Sequence, residues 1–270
     1  MIKKMDENTE QLMAHLDMDE QFDAEISLKR LIGNDSARAI LQLHIDQFFN
    51  ERLAGLNPQI SPILLVGGKG TGVHVMARAV SNTLGNLLCH TVTAKWLNDA
   101  VIYLHSFLAE GDEFSAYYID GDKLNSNNQL QLSKIFNEKK IFFYSFESMS
   151  WEKRPFDRLI ILSTSNKDEI PHILLKKFKI QVNLTKLTTT EIELALRQRV
   201  SLLGWTISSP DLLSKIAQSC SEIGSAMQVL SMAHLVVRSR NEDILTEKQL
   251  NVALHLLDKN IKVANQNKSS

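Results

Sequence analysis

Cysteine is scarce: Cys89 and Cys220 are the only two in 270 residues, and they stand in no metal-ligand or redox spacing. A disulfide scaffold is therefore excluded, and each thiol is expected as a small buried apolar group in a reducing compartment. An excess of charge is also lacking. Lys and Arg total 30 against 31 Asp and Glu, so the net charge of -1 gives no global attraction to nucleic acid or anionic membrane. DNA contact is possible but not supported by charge: only Lys176, Lys177 and Lys179, and separately Arg238 and Arg240, form small basic clusters. No uninterrupted apolar run reaches the ~20 residues that span a bilayer. The first eight residues lack a signal peptide's apolar core, so a cytoplasmic protein without membrane insertion is expected. The histidines are scattered without a ligand pair, and no metal site is expected. Trp96, Trp151 and Trp205 fall in helical and loop segments and read as core anchors, not as a base-stacking platform.

What is present is an alternation of short apolar runs with helical periods. Residues 1–26 are polar and acidic, and read as a loosely held arm. A helical period covers 36–49, with Ala37, Ile40, Leu41 and Ile45 on one face. Residues 63–66, bounded by Pro62 and Gly67, read as a buried strand, and Val73, Met76, Ala77, Val80 and Leu84 recur at helical spacing after it. Further strands are expected at 87–92, 116–120, 141–145 and 159–164, and helices at 96–108 and 130–136. Strands apolar on both faces, alternating with helices, predict an α/β fold: a parallel sheet flanked by helices. From Thr188 the pattern becomes helical, at 189–203, 209–220, 223–240 and 246–260, with start signals at Ser209-Pro210 and Thr246-Glu247. The expected division is an α/β domain over 27–184, a small all-α domain over 185–262, and a disordered polar tail over 263–270.

Between the first strand and its helix stands Gly67-Gly68-Lys69-Gly70-Thr71-Gly72-Val73-His74. The glycines have the spacing of a phosphate-binding loop, G-x-x-x-x-G-K-[S/T], in which backbone N–H groups curl around an anion at a helix N-terminus. Val73 replaces the lysine that would charge-pair with the terminal phosphates. His74 replaces the hydroxyl that would hold magnesium, and a neutral imidazole is a poor ligand for a hard cation. Lys69 lies inside the loop, and whether it swings toward a phosphate is open. The third strand ends in Asp120, followed by Gly121 and Asp122. Asp122 is either a displaced base or a solvated turn residue.

Taken in order, these segments resemble the AAA+ ATPases, and within them the RuvB type of Holliday-junction branch-migration motor, with clamp-loader subunits next. Leu28 to Asn34 resembles the segment that contacts adenine. Residues 63–84 resemble Walker A, and Tyr117 to Asp120 resembles Walker B. Leu162 to Asn166 resembles sensor 1, and Ile173 to Phe178 the arginine-finger segment. Residues 188–259 resemble the helical lid, with Gly224 to Met227 opening the sensor 2 helix. The resemblance covers about 27–260 and implies a P-loop NTPase-like fold with a lid. Its nucleotide-binding positions fall on Gly67, Lys69, Gly70, Thr71, Gly72, Val73, His74, Asp120, Ser165 and Asn166. The departures fall on catalytic positions: Val73 and His74 in Walker A, Gly121 for the Walker B glutamate, Leu175 and Lys177 for the finger arginines, Met227 for the sensor 2 arginine. No counterpart of RuvB's winged helix is expected. No catalytic residue is assigned with certainty; Asp120 and Asp122 are the candidates.

Three readings follow. One is a non-hydrolysing scaffold or adaptor, acting through protein partners or ring neighbours. Another is a divergent ATP-dependent DNA helicase or recombination factor at branched DNA. The third is a sensor that binds ATP or ADP, weakly, without turnover. Losing charges at a site whose catalysis is mostly electrostatic makes weak or absent hydrolysis the expectation.

Overall fold

The computed structural model describes residues 26–85, 89–92, 101–109, 115–145 and 148–266. The chain divides into two compact units, one over Glu25–Thr185 and another containing Lys186–Ser270.

In the first unit, helix α1 spans Asp35–Leu53 and buries Ala37, Leu41 and Ile45 at i, i+4 spacing. Ile40 was expected on that face but is 43% exposed. Neighbouring residues lie about 100° apart around a helix, so Ile40 turns away from Leu41's side. Strand β1 (Ile63–Val66) leads into α2 (Val73–Thr83), which buries Met76, Ala77 and Val80. Then come β2 (Cys89–Val92), α3 (Val101–Ala109), β3 (Ala116–Asp120) and α4 (Ser126–Glu138). Asn125 caps α4, its side chain accepting the Asn128 N–H at 2.8 Å. Strands β4 (Lys140–Ser145) and β5 (Ser150–Pro155) precede β6 (Ile160–Thr164), the short α5 (His172–Leu175) and β7 (Ile180–Asn183).

Five strands form one sheet in the order β2-β3-β6-β1-β7, and every pairing in it is parallel. Its core packs Leu64, Tyr117, Ile119, Ile160 and Leu162 against Leu104, Leu132, Ile135 and Phe178. The parallel α/β expectation holds. Two memberships differ. The run at 141–145 is a strand, but it pairs antiparallel with β5, from Lys140↔Pro155 to Ser145↔Ser150, and stands outside the main sheet. The place beside β1 is taken by β7, whose residues alternate buried and exposed. That half-polar edge pattern hid it, because a continuous apolar run was the signal followed.

The second unit holds α6 (Thr189–Leu202), α7 (Asp211–Ser219), α8 (Ile223–Ser239) and α9 (Glu247–Gln266) around Leu196, Ile216, Leu230, Ala233 and Ala253. Thr188 and Glu191 form a reciprocal capping box at the start of α6. The expected start signal at Ser209-Pro210 is present, with Ser209 Oγ accepting the Asp211 N–H at 3.2 Å. Two features were not foreseen. A two-residue parallel ladder pairs β8 (Thr206–Ile207) with β9 (Ile244–Leu245), and α9 runs into the 263–270 stretch expected as a tail. No helix among the described residues is long and apolar enough to cross a membrane.

Cys220 is half-buried and free, so the buried-thiol expectation fails for it, and the Cys89 side chain lies outside the described residues. Trp205 stacks on His234 with ring centroids 3.8 Å apart, as an anchor would. Trp96 lies outside the described residues. Trp151 overturns the anchor expectation: it is 59% exposed on β5.

Candidate functional site

The register pairs Val66 with Thr164 and Asp120 with Ser163, so β1, β6 and β3 end side by side. Loops leaving the carboxyl ends of adjacent parallel strands converge on one crevice edge. The glycine loop, Asp120, Asp122, Ser165 and Asn166 are thereby gathered at one edge of the sheet.

The loop is tightly built. The Gly67 N–H donates to the Thr164 carbonyl at 2.9 Å, and the Leu184 N–H to the Val66 carbonyl at 2.7 Å. A Cβ on Gly67 would stand 2.5 Å from Thr71 Oγ1 and 3.2 Å from the Leu184 carbonyl. Thr71 is buried, and its hydroxyl (2.8 Å) and amide (3.3 Å) both donate to the Gly68 carbonyl, folding the loop on itself. Gly70 and Gly72 take φ of 84° and 82°, the left-handed region that favours glycine. Lys69 is exposed at the tip and forms no ion pair with another described residue.

Asn34 buttresses the loop from α1's end, itself left-handed with φ 52°. Its Oδ1 accepts the Thr185 N–H at 2.8 Å, and its Nδ2 donates to the Thr185 carbonyl at 3.2 Å and the Thr71 carbonyl at 3.5 Å. Arg38 secures the preceding stretch, donating to the Gly33 carbonyl at 2.9 Å and the Leu28 carbonyl at 3.1 Å.

Val73 is half-buried and opens α2, and His74 follows it. The His74 ring lies 4.6 Å from that of Tyr118, whose buried hydroxyl bonds Ser163 Oγ at 2.8 Å. His74 keeps solvent exposure, yet crowding on its inner side lowers its pKa below the ordinary histidine value. Desolvation is the largest cause; Asp120 opposes it, while Lys123 and Arg78 add to it.

Asp120 is not an open carboxylate. Lys123 Nζ stands 2.8 Å from its Oδ2. Gly121 is buried, and a Cβ there would meet the Ser163 carbonyl oxygen at 2.6 Å and Leu162 at 3.3 Å. Asp122 is also engaged: Oδ1 accepts the Thr164 hydroxyl at 2.7 Å, and Oδ2 accepts the Ser165 N–H at 2.9 Å. The carboxylate staples the turn after β3 to the end of β6. Asn166 caps the next turn, its Oδ1 accepting the Asp168 N–H at 3.1 Å and its Nδ2 donating to Glu169 at 3.3 Å. In the finger segment, Leu174 and Phe178 are buried, Phe178 packing edge-on to Phe136 at 5.4 Å, while Lys176 and Lys179 are exposed. Met227 lies in the second unit, packed against its own core.

Sequence reasoning placed Asn34, Tyr118 and Thr164 inside segments of the resemblance without singling them out as site residues. It also passed over Lys123, whose signal was its place three residues after Asp120, within reach across one helical turn.

A magnesium ion does not fit these residues. Asp120 is already paired to an ammonium, His74 offers nitrogen where oxygen is wanted, and no group of three His, Cys, Asp or Glu among the described residues could hold a metal. An anion fits better. The first-turn N–H groups of α2 have no carbonyl of their own helix to bond, and two left-handed glycines curl the loop toward them.

This five-stranded parallel sheet, with a glycine loop between β1 and α2, is the AAA+ P-loop NTPase-like fold, joined here to a mainly helical unit. Among solved structures, the chain is similar to RuvB, the Holliday junction branch migration motor of Thermotoga maritima. That match has a TM-score of 0.66 and 16% identity, covering 87% of this chain and 73% of that one. A point mutant of the same protein matches at TM-score 0.67 and 18% identity, with the same coverage of both chains. By sequence the chain is similar to a probable spastin homolog of Brugia malayi, 26% identical over 219 residues, or 70% of this chain and 48% of that protein. Spastin of Anopheles gambiae is 24% identical over 202 residues, 70% of this chain and 24% of that one. The chain thus spans about half or less of the curated relatives it matches. No protein-family model matches it.

Proposed function

We propose that this chain is a non-hydrolysing AAA+-like module, a pseudo-ATPase that acts as a scaffold or adaptor through protein contacts, including ring neighbours. The observation that carries the reading is Gly121. The position for a water-polarising glutamate is filled by a main-chain oxygen, 2.6 Å from where a Cβ would begin. Asp122, one residue on, has both carboxylate oxygens committed to Thr164 and Ser165. With Lys123 neutralising Asp120 and Val73 in the lysine position, the groups that would stabilise phosphoryl transfer are absent or engaged. In this reading, 27–184 is a nucleotide-binding-like domain and 185–262 its lid.

A second reading has its own support. The curl of Gly67 to Gly72 and the α2 N-terminus favour an anion, so the module binds ATP or ADP weakly without turnover, and Lys69 supplies charge from the tip. A divergent DNA motor of the kind named for the RuvB structures is the least supported, because it needs a base that neither Gly121 nor Asp122 provides. Phosphate release from ATP by purified protein, with and without branched DNA, tests the proposal. The expected rate equals that of buffer alone. Sustained turnover that vanishes on Asp120→Asn would sink it.

A further inference from the structure

The β4–β5 hairpin has two dissimilar faces. Residues directly opposite each other in an antiparallel pair share a face, so Lys140 with Pro155, Phe142 with Lys153, and Tyr144 with Trp151 line one side. Ile141 and Arg154 line the other. That second side is docked: Ile141 is fully buried in the first unit's core, and Arg154 Nη1 donates to the Ala109 carbonyl at 3.3 Å. The first strand is held further by His105, whose Nδ1 accepts the Phe142 N–H at 3.2 Å.

The undocked side presents aromatic rings and lysines together. The Lys153 ammonium sits 5.0 Å from the Phe142 ring centroid, and the Tyr144 and Trp151 rings meet edge-on at 5.5 Å. Trp151 is 59% exposed. Lys140 and Lys153 are exposed too, and the hairpin's Glu152 falls on the Arg154 side. Phe142 and Tyr144 are half-buried, the Phe142 ring meeting His105 edge-on at 5.6 Å, so Trp151 and the two lysines are what this side exposes, with no carboxylate among its described residues.

The geometry points to this face as a binding surface for single-stranded nucleic acid, a function separate from the phosphate-loop site. Single-strand binders combine cations that follow the phosphates with rings on which unpaired bases stack. A duplex keeps its bases stacked on each other and offers Trp151 nothing. An apolar protein groove would desolvate Lys140 and Lys153 without partners, which is costly. A single strand satisfies both kinds of group at once.

The test is fluorescence anisotropy of the full chain with labelled oligothymidine and oligouridine of roughly 12 nucleotides, inside the ~4–16-nucleotide range of such surfaces. A duplex of equal length is the comparison, and the two single strands separate DNA from RNA. At least one single strand should bind more tightly than the duplex. Trp151→Ala should weaken binding about tenfold or more, with Trp151→Phe restoring most of it. Lys140→Ala with Lys153→Ala should flatten the salt slope by about 1.4, or about 0.7 per lost cation. Lys248→Ala, on α9, should bind as the parent does. Melting temperatures of the variants check that each folds. The inference is overturned if neither strand binds at low salt, if the duplex binds as well as a single strand, or if the hairpin variants bind as the parent does. Trp151-dependent capture of a protein, without oligonucleotide binding, overturns it too.

Discussion

Replacing Gly121 with alanine would put a methyl carbon 2.6 Å from the Ser163 carbonyl oxygen and 3.3 Å from Leu162. The near neighbour is main chain of β6, in register with β3 through Asp120↔Ser163, so it cannot rotate away as a side-chain tip would. Overpacking of this kind costs about 1–3 kcal/mol. Alanine recovers about 0.4–1 kcal/mol by restricting the unfolded chain. A net loss near 2 kcal/mol is the expected result, because relief requires separating two paired central strands. For a unit of this size that lowers the melting temperature by about 4–8 °C. Gly68 is the internal control: nothing lies within 4 Å of its would-be Cβ, and its φ is not positive. Gly68→Ala should therefore be neutral or slightly stabilising. Thermal and urea unfolding followed by circular dichroism compare the two. A Gly121→Ala protein as stable as Gly68→Ala would refute the claim that β6 closes this position, and with it the steric basis of the proposed inactivity.

Asp122→Ala should destabilise by about 1–3 kcal/mol in urea unfolding through the loss of its bonds to Thr164 and Ser165, and Asp122→Asn by less. A pure general base would show no such loss. Lys123→Ala frees Asp120 from its ion pair, yet phosphate release from ATP should stay at the rate of buffer alone, since Gly121 still excludes the glutamate. The pH dependence has a definite sign. Burial, the largest cause, lowers the His105 pKa, and Glu138 opposes it. A pKa lower in the folded than the unfolded state gives stability that is full above the ordinary value of 6.5 and falls as pH drops below it, because the unfolded chain takes the proton first. Urea midpoints should fall between pH 7 and about 5, and His105→Phe, which cannot take up a proton, should flatten that slope.

Much of the fold was legible because it is written in local periodicity. Ile63–Val66 and Ala116–Asp120 are apolar runs of strand length between breakers, and the segments that became α2 and α6 to α9 repeat at helical spacing. The glycine loop was legible because left-handed φ at Gly70 and Gly72 is a need that glycine alone meets cheaply. Hidden from the sequence were features that depend on which strand lies beside which. The run at 141–145 folds back on β5 while β7 stands beside β1, and an apolar run of strand length does not say which partner it takes. Whether Trp151 is buried depends on which face of the hairpin docks, and a one-residue change of register would have reversed it.

Composition and periodicity by themselves determined a parallel α/β unit, a mainly helical unit and a phosphate-type turn with its charged residues replaced. Tertiary structure alone decided that Gly121 is closed and that Asp122 is a staple. The physical reason is range. A helical or strand pattern is set by neighbours a few residues away, whereas the space at Gly121 and the bonds of Asp122 are set by β6, some forty residues later in the chain.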